Sequence, residues 1–330
     1  MRPPVPLVTF AQLRSFSTVA RLGSVTAAAE ELGVSEPAVS AAIATLRRDF
    51  GDELIVRGGG GVRLTVGGAR LAAAANEILG LADRAHRAVD EARGEAAMLP
   101  VAVTSEVAEF AAAPLIDAFV RKQPRVEATL QVEDPGAVCD LLADHVVDVA
   151  LGPRPLPDPR RAIESVPFLR YRMIVVAAPG HWLAGQRAVA PAALAGERWL
   201  VGPSGAAAGT SDVGDFMERW SLAPEDVEAF PSFAAAAHAA AAGRGVMLAV
   251  AHTVMDDLRR GTLVRLDVRG TPIEEMWHCS TLAPDRRPPA ASALRRFVST
   301  PEAVQAVLAR AGGVPAERFR PPVHVTLWQG

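Results

Sequence analysis

Cysteine is scarce in this chain and lysine almost missing. Cys139 and Cys279 are the only thiols in 330 residues. They lie far apart and outside any metal-ligand spacing, so they read as buried, inert groups rather than a metal site or a redox pair. Lys122 is the single lysine, which leaves nearly all the positive charge on guanidinium groups. No run of about 18 apolar residues is present, which excludes a membrane-spanning helix. The opening MRPPVPLVTF lacks the apolar centre of a cleavable signal. A soluble, cytoplasmic protein with no membrane partner is expected. Catalytic signatures are missing too. There is no His/Glu metal spacing, no nucleophile elbow, and no GxGxxG following a strand. The run GGGGVR, from Gly58 to Arg63, lacks the helix and the lysine of a phosphate loop. Neither an enzyme nor a bound metal or cofactor is expected, and no residue is assigned as catalytic.

What is present supports a sizeable folded core. Half the residues are apolar and 22% are charged. The length suits two or three domains. The net charge of −3 argues against a protein that coats nucleic acid through charge alone. Residues 1–70 hold eight arginines against six acidic residues, a local excess of +2. That excess is mild, so the positions of the arginines matter more than their sum.

The stretch Ser24–Arg48, SVTAAAEELGVSEPAVSAAIATLRR, predicts two short helices around a tight turn. Ser24 can cap the first, from about Val25 to Leu32, and Gly33 supplies a permissive turn residue. Ser35 can cap the second, with Pro37 near its start, where a missing N–H costs little. Val39, Ile43 and Leu46 form an inward apolar stripe. Glu36, Ser40, Ala41, Ala44 and Arg48 form a slim opposite edge. Such a helix–turn–helix fits a DNA major groove. These residues alone suit a helical hairpin in an ordinary core equally well.

Thr9 and Gln12 have the spacing of a capping box. A helix from Phe10 to about Arg21 is predicted, with Phe10, Leu13, Phe16, Val19 and Ala20 inward and Gly23 at its end. DELIVR and VRLT flank four glycines, Gly58 to Gly61, and predict a β-hairpin, or wing. Arg57 and Arg63 bracket its tip and suit a minor groove or phosphates. From Ala69 to Arg93 there is no proline. Leu71, Ala75, Ile78, Ala82, Ala85, Val89 and Ala92 form a heptad-like seam suited to pairing with a second copy. Gly94 to Pro100 reads as a hinge.

Beyond Pro100 strand-like and helical segments alternate. PVAVT, VEATLQV, VDVAL and RYRMIVVAA are the strands. EVAEFAAAPLIDAFVRK and GAVCDLLADH are the helices. This alternation argues for a parallel α/β sheet. A second unit begins near Pro179, carries RWLVG, DVGDFMERWSL, AAAAHAAAAG and GVMLAV, and returns near Cys279. A final helix is expected from about Ala290 to Arg310. The proline-rich tail carries Trp328.

The text FAQLRSFSTVARLGSVTAAAEELGVSEPAVSAAIATLRRDFGDELIVR followed by VRLT resembles the LysR-type transcriptional regulators. The run AAxxLxVSxPAVSxxIxxLxxxxGxxL is its most specific part, and the resemblance extends from about Val8 to Arg310. It implies an α+β multidomain protein: a winged helix-turn-helix over 1–68, a linker and dimerisation helix over 69–94, and an α/β effector domain over 100–311. That domain would have two Rossmann-like lobes of periplasmic-binding-protein type, one from about 100–178 and 282–311, the other from about 179–281. Residues 312–330 form a tail. The DNA-binding set becomes Ser35, Glu36, Pro37, Ser40, Ala41, Arg48, Arg57 and Arg63. The family commonly has glutamine where Glu36 stands, a polar or basic pair at Ala41 and Ala42, and proline at Val250. The first two departures remove base-reading donors.

A ligand would lie in a cleft at strand C-termini and helix N-termini, where free N–H groups suit an anion. Thr104, Ser105, Ser204, Gly205 and Thr210, with Ser211 beside them, are the effector-binding candidates. A small carboxylate is the family default, although no charged residue in these loops clamps one. His238, on an alanine-rich helix, reads as structural or surface-facing. The implied function is a sequence-specific regulator controlled by a small-molecule effector. Its implied partners are double-stranded DNA, RNA polymerase, and itself as dimer or tetramer. The competing reading is a solute-binding-type protein without a transcriptional role.

Overall fold

The computed structural model describes residues 8–58, 61–156, 161–205, 212–222 and 226–309. Its contacts divide the chain into two units, Met1–Glu95 with Ala143–Val146, and Ala96–Leu142 with Val147–Gly330.

The first unit opens with α1 (Phe10–Leu22), α2 (Val25–Leu32) and α3 (Glu36–Phe50). Local chemistry sets their limits. Gln12 N–H donates to Thr9 Oγ1 at 3.3 Å while Thr9 N–H donates to Gln12 Oε1 at 2.8 Å, closing the capping box. Ser24 Oγ accepts from Ala27 N–H at 3.2 Å. Gly23, Gly33 and Gly51 end the three helices in the left-handed conformation. Phe16, Val19, Ala28, Ala29, Val39, Ile43 and Leu46 from the three helices close a shared core with Leu54 and Ile55. Phe10 does not join them. It is 58% exposed, because the first helical residue lies ahead of the stripe that meets the core.

The wing is β1 (Ile55–Gly58) paired antiparallel with β2 (Gly61–Leu64). It leads into α4 (Val66–Ala92), which starts three residues before the predicted Ala69. Asp52 organises this junction. One carboxylate oxygen accepts from Leu54 N–H at 2.6 Å and from the Thr65 hydroxyl at 2.8 Å, and Thr65 Oγ1 caps Gly68 N–H at 2.8 Å. Gly68 is required there, since a Cβ would stand 1.8 Å from the Leu54 carbonyl oxygen. The predicted seam of α4 divides. Ala75 is buried, whereas Ile78 and Val89 are 43% and 50% exposed.

In the second unit β3 (Ala97–Val103) begins inside the predicted hinge. Pro100 is tolerated within this strand because its carbonyl accepts Asp148 N–H at 2.9 Å. Its missing N–H therefore points to the side where β5 (Val149–Gly152) has not yet begun. β4 (Val126–Val132) and β5 flank β3 in parallel. α7 (Val138–Ala143) connects them. Two long strands, β6 (Ile163–Ala177) and β11 (Ile273–Leu282), pair antiparallel along their lengths. β11 also pairs β5, while the far half of β6 pairs β9 (Met247–Val250) and β10 (Val264–Arg265). Both strands thus cross from one lobe to the other, giving the main sheet the order β10-β6-β11-β5-β3-β4, with β9 on β6.

The second lobe adds the parallel pair β7 (Trp199–Val201) and β8 (Val227–Ala229). Its helices are α8 (Asp212–Arg219), α9 (Phe233–Ala241) and α10 (Met255–Arg260). The predicted final helix is two, α11 (Pro289–Phe297) and α12 (Pro301–Ala309). Pro301 cannot continue α11, and Thr300 Oγ1 accepts Ala303 N–H at 3.3 Å to start the next helix. The tail over 312–330 lies outside the described residues.

Candidate functional site

The edge of α3 faces solvent as its sequence implies. Val39, Ile43 and Leu46 are buried, while Ser35, Glu36, Pro37, Ser40, Ala41, Ala44 and Arg48 are exposed. Ser35 occupies the N-cap position but makes no side-chain cap hydrogen bond, contrary to the expected cap. The two arginines at the end of α3 behave differently. Arg47 turns back, with Nε donating to the Glu53 carbonyl and Nη2 to the Ile55 carbonyl, each at 2.7 Å, and so fastens α3 to the wing. Arg48 projects outward, 75% exposed, with a 3.8 Å contact to the neighbouring Asp49. Arg63 is exposed on β2, its backbone opposite Val56, and Arg57 lies opposite Val62. The two arginines are therefore not register partners.

The second candidate region gathers around the helical stretch that follows β3. α5 (Ser105–Val107), a π-helical turn over Ala108–Ala112, and α6 (Ala113–Lys122) run on without interruption. The widened turn has a local cause. Pro114 has no N–H for the Phe110 carbonyl, and its ring would collide with that oxygen in a regular helix.

Thr104 stands at the head of this stretch, 1% exposed, its backbone N–H bonded to the Leu151 carbonyl at 3.1 Å. Its hydroxyl is buried without a hydrogen-bond partner and makes no cap to α5. A Cβ on Gly152 would come within 2.6 Å of its methyl carbon, so Gly152 leaves the room that Thr104 fills. Ser105 is half-buried. Ser204, in the turn after β7, donates its hydroxyl to Glu106 Oε1 at 2.9 Å across the two lobes. Gly205 closes that turn at φ +67°, with its N–H on the Gly202 carbonyl at 3.0 Å. Thr210 and Ser211 lie outside the described residues.

Four groups not singled out in the sequence belong to the same seam. Glu109 accepts from Phe233 N–H and Ala234 N–H, each at 2.8 Å. The Phe233 ring covers Gly202, where any Cβ would meet it at 2.4 Å. Phe110 lies 5.9 Å from Phe233 and 6.4 Å, edge-on, from His252. His252 in turn meets Trp277 edge-on at 6.4 Å. Burial holds its imidazole below the usual value, and its Nε2 has no partner. At the start of α9 the N–H groups of Phe233, Ala234, Ala235 and Ala236 are all taken. Glu109 holds two, Ser232 Oγ takes Ala235 N–H at 3.1 Å, and the Ser232 carbonyl takes Ala236 N–H at 3.2 Å. The only sequence signal for this pairing was the i, i+3 spacing of Glu106 and Glu109 just past a strand.

A cavity of about 630 Å³ opens beside α9, lined by Phe110, Phe233, Ala237, His238, Val254 and Arg260 among others. The alanines of α9 leave this space because their side chains stop at Cβ. A second cavity of about 270 Å³ is lined by Arg154, Asp215, Arg219, Glu275 and His278 with the apolar face of β6. Burial raises the Glu275 carboxyl and lowers the His278 imidazole. Cys279 is fully buried, its thiol pushed up to about 12, which suits an inert core group and not a reactive thiolate. Among the described residues no group of three His, Cys, Asp or Glu could hold a metal ion, and no helix is long and apolar enough to cross a membrane.

Known proteins align along most of the chain. Residues 10–69 match the bacterial regulatory helix-turn-helix protein family of lysR type, and residues 92–300 match the LysR substrate binding domain. An HTH-type transcriptional regulator of Mycobacterium tuberculosis is 38% identical over 97% of this chain and 100% of its own length. The regulator CfxR of Cupriavidus necator is 32% identical, over 88% of this chain and 91% of that protein. Among solved structures, full-length CbnR complexed with its target DNA is 21% identical with a TM-score of 0.58, covering 88% of this chain and 98% of that one. A hydrogen-peroxide-bound OxyR of Corynebacterium glutamicum is 22% identical with a TM-score of 0.54, over 93% and 96%. At such identities the two structures are similar in fold.

Proposed function

This chain belongs to the LysR family of DNA-binding transcriptional regulators, and from that premise we propose which of its residues read DNA and which bind its effector. It is a regulator with a helix-turn-helix domain and an effector-binding domain, as its relatives are, and not an enzyme. On our reading α3 enters the major groove. Ser35, Glu36, Pro37, Ser40, Ala41 and Arg48 face the duplex, and Arg57 and Arg63 of the wing reach the adjacent backbone or minor groove. One observation carries this: the buried stripe Val39, Ile43 and Leu46 leaves the opposite edge entirely to solvent. Glu36 can accept from a cytosine amino group, Ser40 can bond a base edge or phosphate, and Ala41 can contact a thymine methyl. With so few base-reading donors, much of the selectivity comes from DNA shape and from two half-sites read together.

A second copy meets the first along α4, where Ile78, Leu81 and Val89 are exposed on one chain. The effector occupies the seam between the lobes of the second unit, with Thr104, Ser105, Ser204 and Gly205 as its polar contacts; Thr210, outside the described residues, is assigned to the same set. Thr104 supports this reading best, as a buried hydroxyl that waits for a partner. The protein works in the cytoplasm, where its DNA and RNA polymerase are found. The domain limits read from the sequence, 1–68, 69–94 and 100–311, stand as part of this proposal.

The deciding experiment is footprinting of the full-length protein on the DNA upstream of its own gene, with a metabolite panel. Salt-sensitive protection that one metabolite alters, and that Ser204→Val no longer alters, is expected. Protection independent of sequence would overturn the reading of α3.

A further inference from the structure

The seam between the lobes is already held by carboxylates of the chain itself. Glu109 sits in the widened helical turn that Pro114 imposes, and it faces the N-terminus of α9 in the other lobe. Both of its oxygens are used, one on Phe233 N–H and one on Ala234 N–H at 2.8 Å. One turn earlier, Glu106 accepts the Ser204 hydroxyl at 2.9 Å. A carboxylate at a helix N-terminus meets the positive end of the helix dipole, and hydrogen bonds to an ionised acceptor are stronger than neutral ones. Since Ser232 satisfies the remaining N–H groups of the first turn, the terminus of α9 is saturated. The tilted contact of Phe110 with Phe233, and the Phe233 ring over Gly202, pack the same contact with apolar surface.

We propose that Glu109, assisted by Glu106, is an internal latch that holds the two lobes together in the absence of effector. The inference rests on the seam being the effector site. An acidic effector reaches the N–H groups of Phe233 and Ala234 only in the place of Glu109. Binding is then an exchange of one carboxylate for another, and the regulatory signal is the release of the turn that carries Glu109 and Phe110. A ligand-free cleft of this kind is set by the chain rather than left open.

The test uses full-length protein without added ligand. Hydrogen exchange is followed in the segment 230–237, and footprints are taken on the DNA upstream of its own gene. Glu109→Ala should speed exchange at Phe233 and Ala234 by about tenfold or more, the scale of losing a charge-assisted hydrogen bond. It should also alter the effector-free footprint. A second pair isolates the N–H group itself. Phe233→Ala removes the ring and keeps the amide. Phe233→Pro removes both, at a first helical position preceded by the extended Ser232, where proline is tolerated. The latch requires the proline variant to alter the footprint in the manner of Glu109→Ala and by more than the alanine variant, which loses the ring alone, does. Unchanged exchange in Glu109→Ala, or unchanged footprints in both Glu109→Ala and Phe233→Pro, would overturn it. Absence of any footprint from the wild-type protein would instead sink the DNA-regulator reading, leaving exchange to decide the latch.

Discussion

The outer edge of α3 and the seam between the effector lobes treat polar groups in opposite ways. On α3, Glu36, Ser40 and Arg48 are turned to solvent, and the one side chain that folds back, Arg47, is spent on the wing. In the seam, Ser204, Glu106, Glu109 and the α9 amides satisfy one another, and the Thr104 hydroxyl and His252 Nε2 are left buried without a partner. A surface built for an external partner keeps its groups unspent. A site that must respond to a ligand can instead be held by its own chain until that ligand competes. The two regions therefore predict different mutational behaviour.

The largest effect should come from the buried side of the reading helix. Leu46→Ala opens a cavity in the core shared by α1, α2 and α3, and should cost about 2–5 kcal/mol. Chemical denaturation would measure the loss, and DNA binding should fall with it. An unaffected midpoint would break the link between the buried stripe and the exposed edge. Glu36→Gln should do the reverse. Stability should stay within about 0.5 kcal/mol, while preference among operator variants shifts by about 1–3 kcal/mol at one position. Selection from a randomised operator library reads this directly, and Ser40→Arg should shift the same profile.

A smaller change is expected in the seam. Thr104→Val removes an unpaired buried hydroxyl at nearly constant volume, so the ligand-free protein should gain about 1 kcal/mol while the effector response disappears. Loss of both stability and DNA binding would mean that Thr104 is structural. The smallest effect concerns pH. His252 is held below its usual value near 6.5 by burial between Phe110 and Trp277, so the folded state binds fewer protons than the unfolded one. Its contribution is fully present above that value and declines as pH falls below it. Thermal melts of wild type from neutral pH downward should slope accordingly, and His252→Gln should flatten the slope.

The residues themselves determined the first unit nearly in full. Thr9 with Gln12, Ser24, and the glycines at 23, 33 and 51 act on neighbours within a few positions, and the stripe of Val39, Ile43 and Leu46 follows from helical periodicity. Such signals are local, so they survive without knowledge of the rest of the chain. The break in the predicted final helix was local too, at Pro301, but the expectation ran one helix through it. The seam was another matter. Thr104 and Ser204 could be named as candidates, yet that Glu106 would take the Ser204 hydroxyl, 98 positions away, depends on two long strands, β6 and β11, carrying one lobe against the other. The pairing of Glu109 with the α9 amides spans a similar distance and leaves no periodic trace. Contacts between distant segments are set by how sheets and helices stack, a property of the assembled chain, and only the tertiary structure decided which polar groups would be spoken for.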